Sequence, residues 1–271
     1  MNTLVISLSA IILYVAAAVS SQLSLVHKIS FSPKHSLFLL GALAVSLHGI
    51  ILYQGINVPT GLNLGFFNAA SLAMWMIAFL LLLTLLRNPV ENLAIILFPL
   101  AALTIGLEDI FHTERILPIE QAWGVKIHVF SSFLAYGVLS IAAFQALFLA
   151  VQDRQLHNKH PSWAFQLFPP LQVMETLLFQ MVILGFLLLS ISLITGFMFF
   201  NDIFEEIVKQ HLVHKTVLSV VAWIVFAVLL WGRWRYGWRG KKAIRWNLGG
   251  FILLMLAYFG SKLVLELILK R

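Results

Sequence analysis

Nine histidines and no cysteine define the chemistry open to this chain. Without thiols it has no disulfide, iron–sulfur cluster or cysteine zinc site, whereas imidazole ligates metal ions and haem iron. No glycine-rich phosphate loop follows a strand, no His-Glu-x-x-His occurs, and no serine elbow is visible. His128 stands in Trp123-Gly124-Val125-Lys126-Ile127-His128-Val129, where an inward helix begins. His211 and His214 are three residues apart, so a helix places them on one face. Two imidazoles from different helices at one depth could clamp a haem edge-on: His128 with His214, or with His211. Lys126 and Lys215 lie near enough in sequence to meet its propionates. The competing reading makes these histidines ordinary amphipathic residues of a membrane boundary. His48 is the one histidine well inside an apolar segment, where an ionisable group is a ligand or relay candidate, or is satisfied by one interhelical hydrogen bond. Lys262 and Glu266 form an i, i+4 pair that neutralises itself or lends Lys262 to a carboxylate ligand. His27, His35, His112, His157 and His160 read as surface residues of the connections.

The elements that must position these groups follow from composition. With 61% apolar and 11% charged residues and a mean hydropathy of +0.94, the chain cannot close a water-soluble surface. Soluble domains carry about 25% charged residues. Charge-free stretches recur at 1–26, 36–86, 92–107, 127–152, 176–201, 216–232 and 246–261. Most are long enough for a crossing of about 20 residues. The block 36–86 is twice that, and Asn57-Val58-Pro59-Thr60-Gly61-Leu62-Asn63 breaks it with a turn. Solid apolar runs, not alternation, exclude a barrel. The expected fold is therefore all-α: a polytopic membrane protein with helices near 3–25, 36–56, 65–87, 90–107, 125–152, 172–200, 214–233 and 246–268. The first lacks a basic n-region and has too long an apolar core for a signal peptide, so it counts as a span.

Eleven of the eighteen basic residues fall after helices one, three, five and seven: Lys28, Lys34, Arg87, Arg154, Lys159, Arg233, Arg235, Arg239, Lys241, Lys242 and Arg245. The alternate connections are neutral, or acid-rich with Glu108, Asp109, Glu114 and Glu120 in one and Asp202, Glu205 and Glu206 in another. The positive-inside rule then places both termini on the outer, periplasmic side. A pI near 9.8 is thus a topology signal, not a nucleic-acid signal. The segment 231–242 interleaves Trp231, Trp234, Tyr236 and Trp238 with cations, as a single-strand stacking surface would. Its place at a helix end makes it an interfacial anchor for the lipid bilayer.

The stretch from Trp123 through His128 and Tyr136 to Ser140 resembles the segment around the first external haem histidine of cytochrome c assembly proteins. Ile194-Thr195-Gly196, His214-Lys215-Thr216, Trp223-Ile224-Val225-Phe226-Ala227, Gly237-Trp238-Arg239-Gly240-Lys241-Lys242 and Gly249-Gly250-Phe251 resemble that family's C-terminal half in order and spacing. The N-terminal half, with His48 and Gly65-Phe66-Phe67-Asn68-Ala69-Ala70-Ser71-Leu72, resembles the HemX-like branch. The resemblance implies a HemX-like four-helix part over 1–121 and a cytochrome c assembly-like part over 122–271, in a bacterial inner membrane. It implies haem, expected as haem b, with His128 the external ligand and His48 a membrane-embedded one, handled for c-type cytochrome biogenesis and presented to an apocytochrome. Two features depart from the family pattern. Residues 197–214 hold no Trp where its Trp-rich loop belongs, and no histidine follows helix eight. The alternative is therefore a cofactor-free regulatory or scaffolding subunit of another inner-membrane protein. Neither reading requires an enzyme.

Overall fold

The computed structural model describes residues 3–27, 33–59, 61–111, 113, 116–117, 123–157, 169–198, 213–260 and 263. Eight helices among them are long and apolar enough to cross a membrane. They fall into two compact units, one of Met1–Ile119 with Pro161–Pro169 and one of Glu120–His160 with Pro170–Arg271.

The first unit is a ring of four helices. Helix α1 (Thr3–His27) packs on α2 (Pro33–Ile56) and α4 (Glu91–Ile110), and α3 (Phe66–Arg87) closes the ring between α2 and α4. Helix α1 shows why it is a lipid-facing span: Leu4, Leu8, Ile12, Val15 and Val19 are exposed at helical spacing, while Ile6, Ala10, Tyr14 and Ala17 are buried. Lipid tails supply no hydrophobic drive between helices, so small residues and polar ties hold the ring. Ser7 donates to Asp109 at 3.3 Å and Ser21 to the Glu91 carbonyl at 2.8 Å, tying both ends of α1 to α4. Trp75 Nε1 donates to the Val45 carbonyl at 2.9 Å, joining α3 to α2. Helix α3 stops at Asn88, whose extended backbone suits a residue before proline.

One end of this unit carries a small antiparallel sheet of β1 (Asn57–Val58), β2 (Gly61–Asn63) and β3 (Ile116–Leu117), with Asn57 opposite Leu62 and Leu62 opposite Leu117. The turn expected at 57–63 is thus a hairpin. Helix α4 continues to Ile110, beyond the expected end at 107, with the Phe111 amide bonded to the Leu107 carbonyl. Glu108 and Asp109 therefore belong to a helix and not to an acidic loop, with Asp109 accepting from the Ser7 hydroxyl of α1 and Glu108 buried in the bundle.

The second unit is also a four-helix ring. Helix α5 (Trp123–His157) lies along α6 (Leu171–Met198), α6 packs on α7 (Val213–Tyr236), and α8 (Gly240–Met255) packs on both α7 and α5. A π-helical turn, Leu256–Gly260, continues α8. Close approaches rest on glycine: a Cβ on Gly185 would lie 2.5 Å from Leu139, and one on Gly250 2.8 Å from Phe226. Helix α8 begins at Gly240, six residues before its expected start, because the corner after α7 is tight. Gly237 and Gly240 take φ of +63° and +51° there, which favours glycine. Arg233 fastens the corner, reaching Glu175 and the Trp238 carbonyl at 3.2 Å each.

Candidate functional site

His128 sits in the second turn of α5, half-buried against α6. Its ring lies on Gly196, where an added Cβ would come within 2.9 Å of Cε1. That contact gives Gly196 a physical reason to lack a side chain. Nδ1 lies 2.8 Å from the Ser192 carbonyl oxygen. A carbonyl only accepts, so Nδ1 carries the proton and Nε2 holds the lone pair. No described residue hydrogen-bonds Nε2. This is the arrangement that orients a histidine ligand: one nitrogen donating to a backbone carbonyl, the other bare.

Two serines secure that geometry. Ser132 donates to the His128 carbonyl at 2.6 Å and lies 2.6 Å from the Ser192 hydroxyl, and Ser131 reaches the same carbonyl at 3.1 Å. Farther along α5 an aromatic group gathers. Phe133 packs edge-on to Tyr258 at 5.7 Å, and Tyr136 meets Phe251 at 5.7 Å and Phe259 at 5.5 Å. Lys215 holds its ammonium 4.8 Å above the Tyr258 ring, near enough for its charge to act on His128. The second unit therefore assembles a lone-pair imidazole, flat apolar rings and a cation.

Of the other expected site residues, His214 and Lys126 lie in the first turns of α7 and α5, one residue before Lys215 and two before His128. Their side chains, together with His211, Lys262 and Glu266, lie outside the described residues. Among the described residues no group of three His, Asp or Glu side chains converges as a metal site.

His48 stands differently. In the first unit it is fully buried, at 0% exposure. Its Nδ1 lies 3.2 Å from the Tyr14 hydroxyl and its Nε2 2.9 Å from the Ser71 hydroxyl, and the Tyr14 ring meets the imidazole edge-on at 5.8 Å. Glu108, on α4, is 8% exposed, and its Oε2 is buried without a hydrogen-bond partner among the described residues. Tyr14, His48, Ser71 and Glu108 come one each from α1, α2, α3 and α4. Sequence reasoning found only His48. Tyr14 and Ser71 carry no charge to mark them, and Glu108 beside Asp109 reads as a solvated helix end.

Comparison with known proteins agrees with the residue patterns. Residues 36–269 match the family described as Cytochrome C assembly protein. The chain is 36% identical over 225 residues to inner membrane protein YpjD of Escherichia coli (strain K12), covering 83% of this chain and 82% of that protein. It is 23% identical over 198 residues to cytochrome c biogenesis protein CcsA of Prochlorococcus marinus (strain MIT 9515), covering 64% and 62%. It is 27% identical over 134 residues to protein HemX of Brevibacillus brevis, covering 49% and 48%. No solved structure matches. With the family match spanning most of its length and both helical units, this chain belongs to the cytochrome c assembly protein family.

Proposed function

We propose that this chain is a multi-pass inner-membrane protein that binds haem, as haem b, on its second unit for c-type cytochrome biogenesis. The observation that carries the reading is the Nδ1 contact of His128 with the Ser192 carbonyl, which leaves Nε2 as a fixed lone pair. His128 would hold the haem iron together with His214, or with His211 as the alternative in the same stretch. Tyr136, Phe251, Tyr258 and Phe259 supply flat apolar surface for a macrocycle. Lys215, with Lys126 and Lys262, meets its propionates as charge-assisted partners. When bound, the iron supplies the redox chemistry, and the chain's own residues hold, orient and shield it. His48 takes no iron in this reading, because both of its ring nitrogens are hydrogen-bonded. Both termini lie on the periplasmic side, which puts His128 and His214 at the outer boundary, where an apocytochrome is a reachable partner.

The test is an absorption spectrum of the protein purified in mild detergent, with and without added haem. A Soret band that His128→Ala strips is the expected result; no band after supplementation overturns the reading. One sequence feature favours a second reading. Residues 197–214 lack tryptophan, so a cofactor-free subunit that scaffolds another inner-membrane protein remains in view. A stoichiometric copurifying protein without a chromophore is its signature.

A further inference from the structure

The corner between α7 and α8 carries more positive charge than the side chains around it balance. It joins two spans, Lys215–Tyr236 and Gly240–Gly260, so it stands at a membrane boundary. Two of its cations are paired: Arg233 turns inward onto Glu175 and the Phe179 ring, and Lys241 lies 4.0 Å from Asp153. Arg235, Arg239, Lys242 and Arg245 are exposed, and among the described residues none of the four has a carboxylate partner. The fold keeps them together. The Gly237 amide bonds the Arg233 carbonyl at 3.1 Å and the Trp238 amide bonds the Gly232 carbonyl at 3.2 Å, which seats the Trp238 ring on Gly232 and against Trp246. Lys242 holds its ammonium 4.3 Å above Trp238, and Arg245 follows three residues later on the same face of α8, a like-charge pair that weakens a helix on its own.

The neighbouring aromatics say what form the missing negative charge takes. Trp231, Trp234 and Arg235 share one face of α7, all three are exposed, and the two indoles meet edge-on at 5.4 Å. Both indoles lie within the span Lys215–Tyr236, where acyl chains stand and nucleic-acid bases do not. Arg235 sits one turn beyond Trp231, toward the helix end. A partner that satisfies this face is a single molecule with apolar chains below and a phosphate above. We propose that the corner is a binding site for an anionic phospholipid, with the headgroup phosphate held by Arg235, Arg239 and Arg245 and the acyl chains along Trp231 and Trp234. Arginine suits the task because its planar fork bonds phosphate oxygens in pairs, and Lys242 adds a point charge. The bound lipid supplies the counter-charge that fixes the corner from which α8 departs. The site is separate from the candidate haem ligand, since Asp153 beside Lys241 stands ~38 Å along α5 from His128 at the helical rise.

The test uses the full chain, haem-free, in phosphatidylcholine bilayers with a fixed minor fraction of phosphatidylglycerol, so its failure leaves the His128 reading untouched. Tryptophan quenching by phosphatidylglycerol brominated in its acyl chains is compared with quenching by brominated phosphatidylcholine. The part of the quenching that disappears when Trp231→Phe and Trp234→Phe are combined belongs to the corner, and its ratio between the two lipids is the preference measured. The wild type should prefer phosphatidylglycerol. Arg239→Gln with Arg245→Gln should lower that preference about 5-fold for each cation removed, as expected for basic residues at an anionic surface. Lys34→Gln with Arg87→Gln removes the same charge from exposed positions of the first unit and should leave it unchanged. Equal losses in the two double variants make the effect one of diffuse surface charge and overturn the site. Displacement of the lipid by excess soluble glycerol phosphate, or by a single-stranded oligonucleotide, overturns it as well, because neither carries acyl chains. If either double variant fails to fold, the wild type still decides: equal quenching of the corner by the two lipids overturns the proposal.

Discussion

His48, in the first unit, meets a hydroxyl at each ring nitrogen, whereas His128, in the second, meets a carbonyl at one and no described group at the other. A hydroxyl donates or accepts as required, so Tyr14 and Ser71 leave both tautomers of His48 available. A carbonyl only accepts, so Ser192 selects one tautomer of His128 and fixes where the lone pair points. The first arrangement leaves the ring protons free to redistribute, and the second holds one lone pair in a set direction. Burial follows the same division. His48 is fully buried, while His128 is half-buried on a glycine. A buried histidine in a membrane protein is thus not one kind of object; the atoms at its two nitrogens decide which chemistry it serves.

Five substitutions break or sharpen that contrast. The largest effect is expected from His128→Ala, which should strip most of the haem absorbance, while His48→Gln keeps the full band per mole of folded protein; equal loss in both would erase the distinction. Next, Gly196→Ala pushes a methyl to within 2.9 Å of the His128 ring and turns it off the Ser192 carbonyl. Haem affinity should fall roughly 10-fold, as losses of orienting contacts do. Titration of haem into the purified variant measures it. Third, His48→Leu removes the shared partner of Tyr14 and Ser71. Burying two unsatisfied hydroxyls should cost about 1–3 kcal/mol, read as a lower thermal midpoint in detergent with the haem spectrum unmoved. The smallest is Trp75→Phe, which deletes the bond to the Val45 carbonyl. It should cost only about 0.6 kcal/mol, typical of one interhelical hydrogen bond in a membrane, with no change in either histidine.

The helices were legible because the period of the signal is long and one-dimensional. Twenty apolar residues in a row need no knowledge of their neighbours to be a span, and all eight appear. Boundaries were less so. Helix α4 outruns its apolar stretch to include Glu108 and Asp109, where the Ser7 hydroxyl of α1 donates to the Asp109 carboxylate. Helix α8 starts within a cationic run because two left-handed glycines turn the chain in three residues.

The candidate ligand site divides in the same way. His128, Lys215 and Gly196 stand in segments whose residue types and order mark the family, so they were readable along the chain as candidates. That Gly196 exists to seat the His128 ring, and that Ser192 fixes its tautomer, was not, since both contacts cross some sixty residues of sequence.

Sequence alone determined that this is a bundle of apolar helices and that thiol chemistry is closed to it, and it marked the histidines as ligand candidates. Composition and local periodicity suffice for those statements, because each concerns a segment and its solvent. Only the tertiary structure decided which atoms each imidazole meets, the Ser192 carbonyl at His128 and the Tyr14 and Ser71 hydroxyls at His48. Hydrogen bonds between spans depend on which faces the helices turn to one another, and that choice is made by packing.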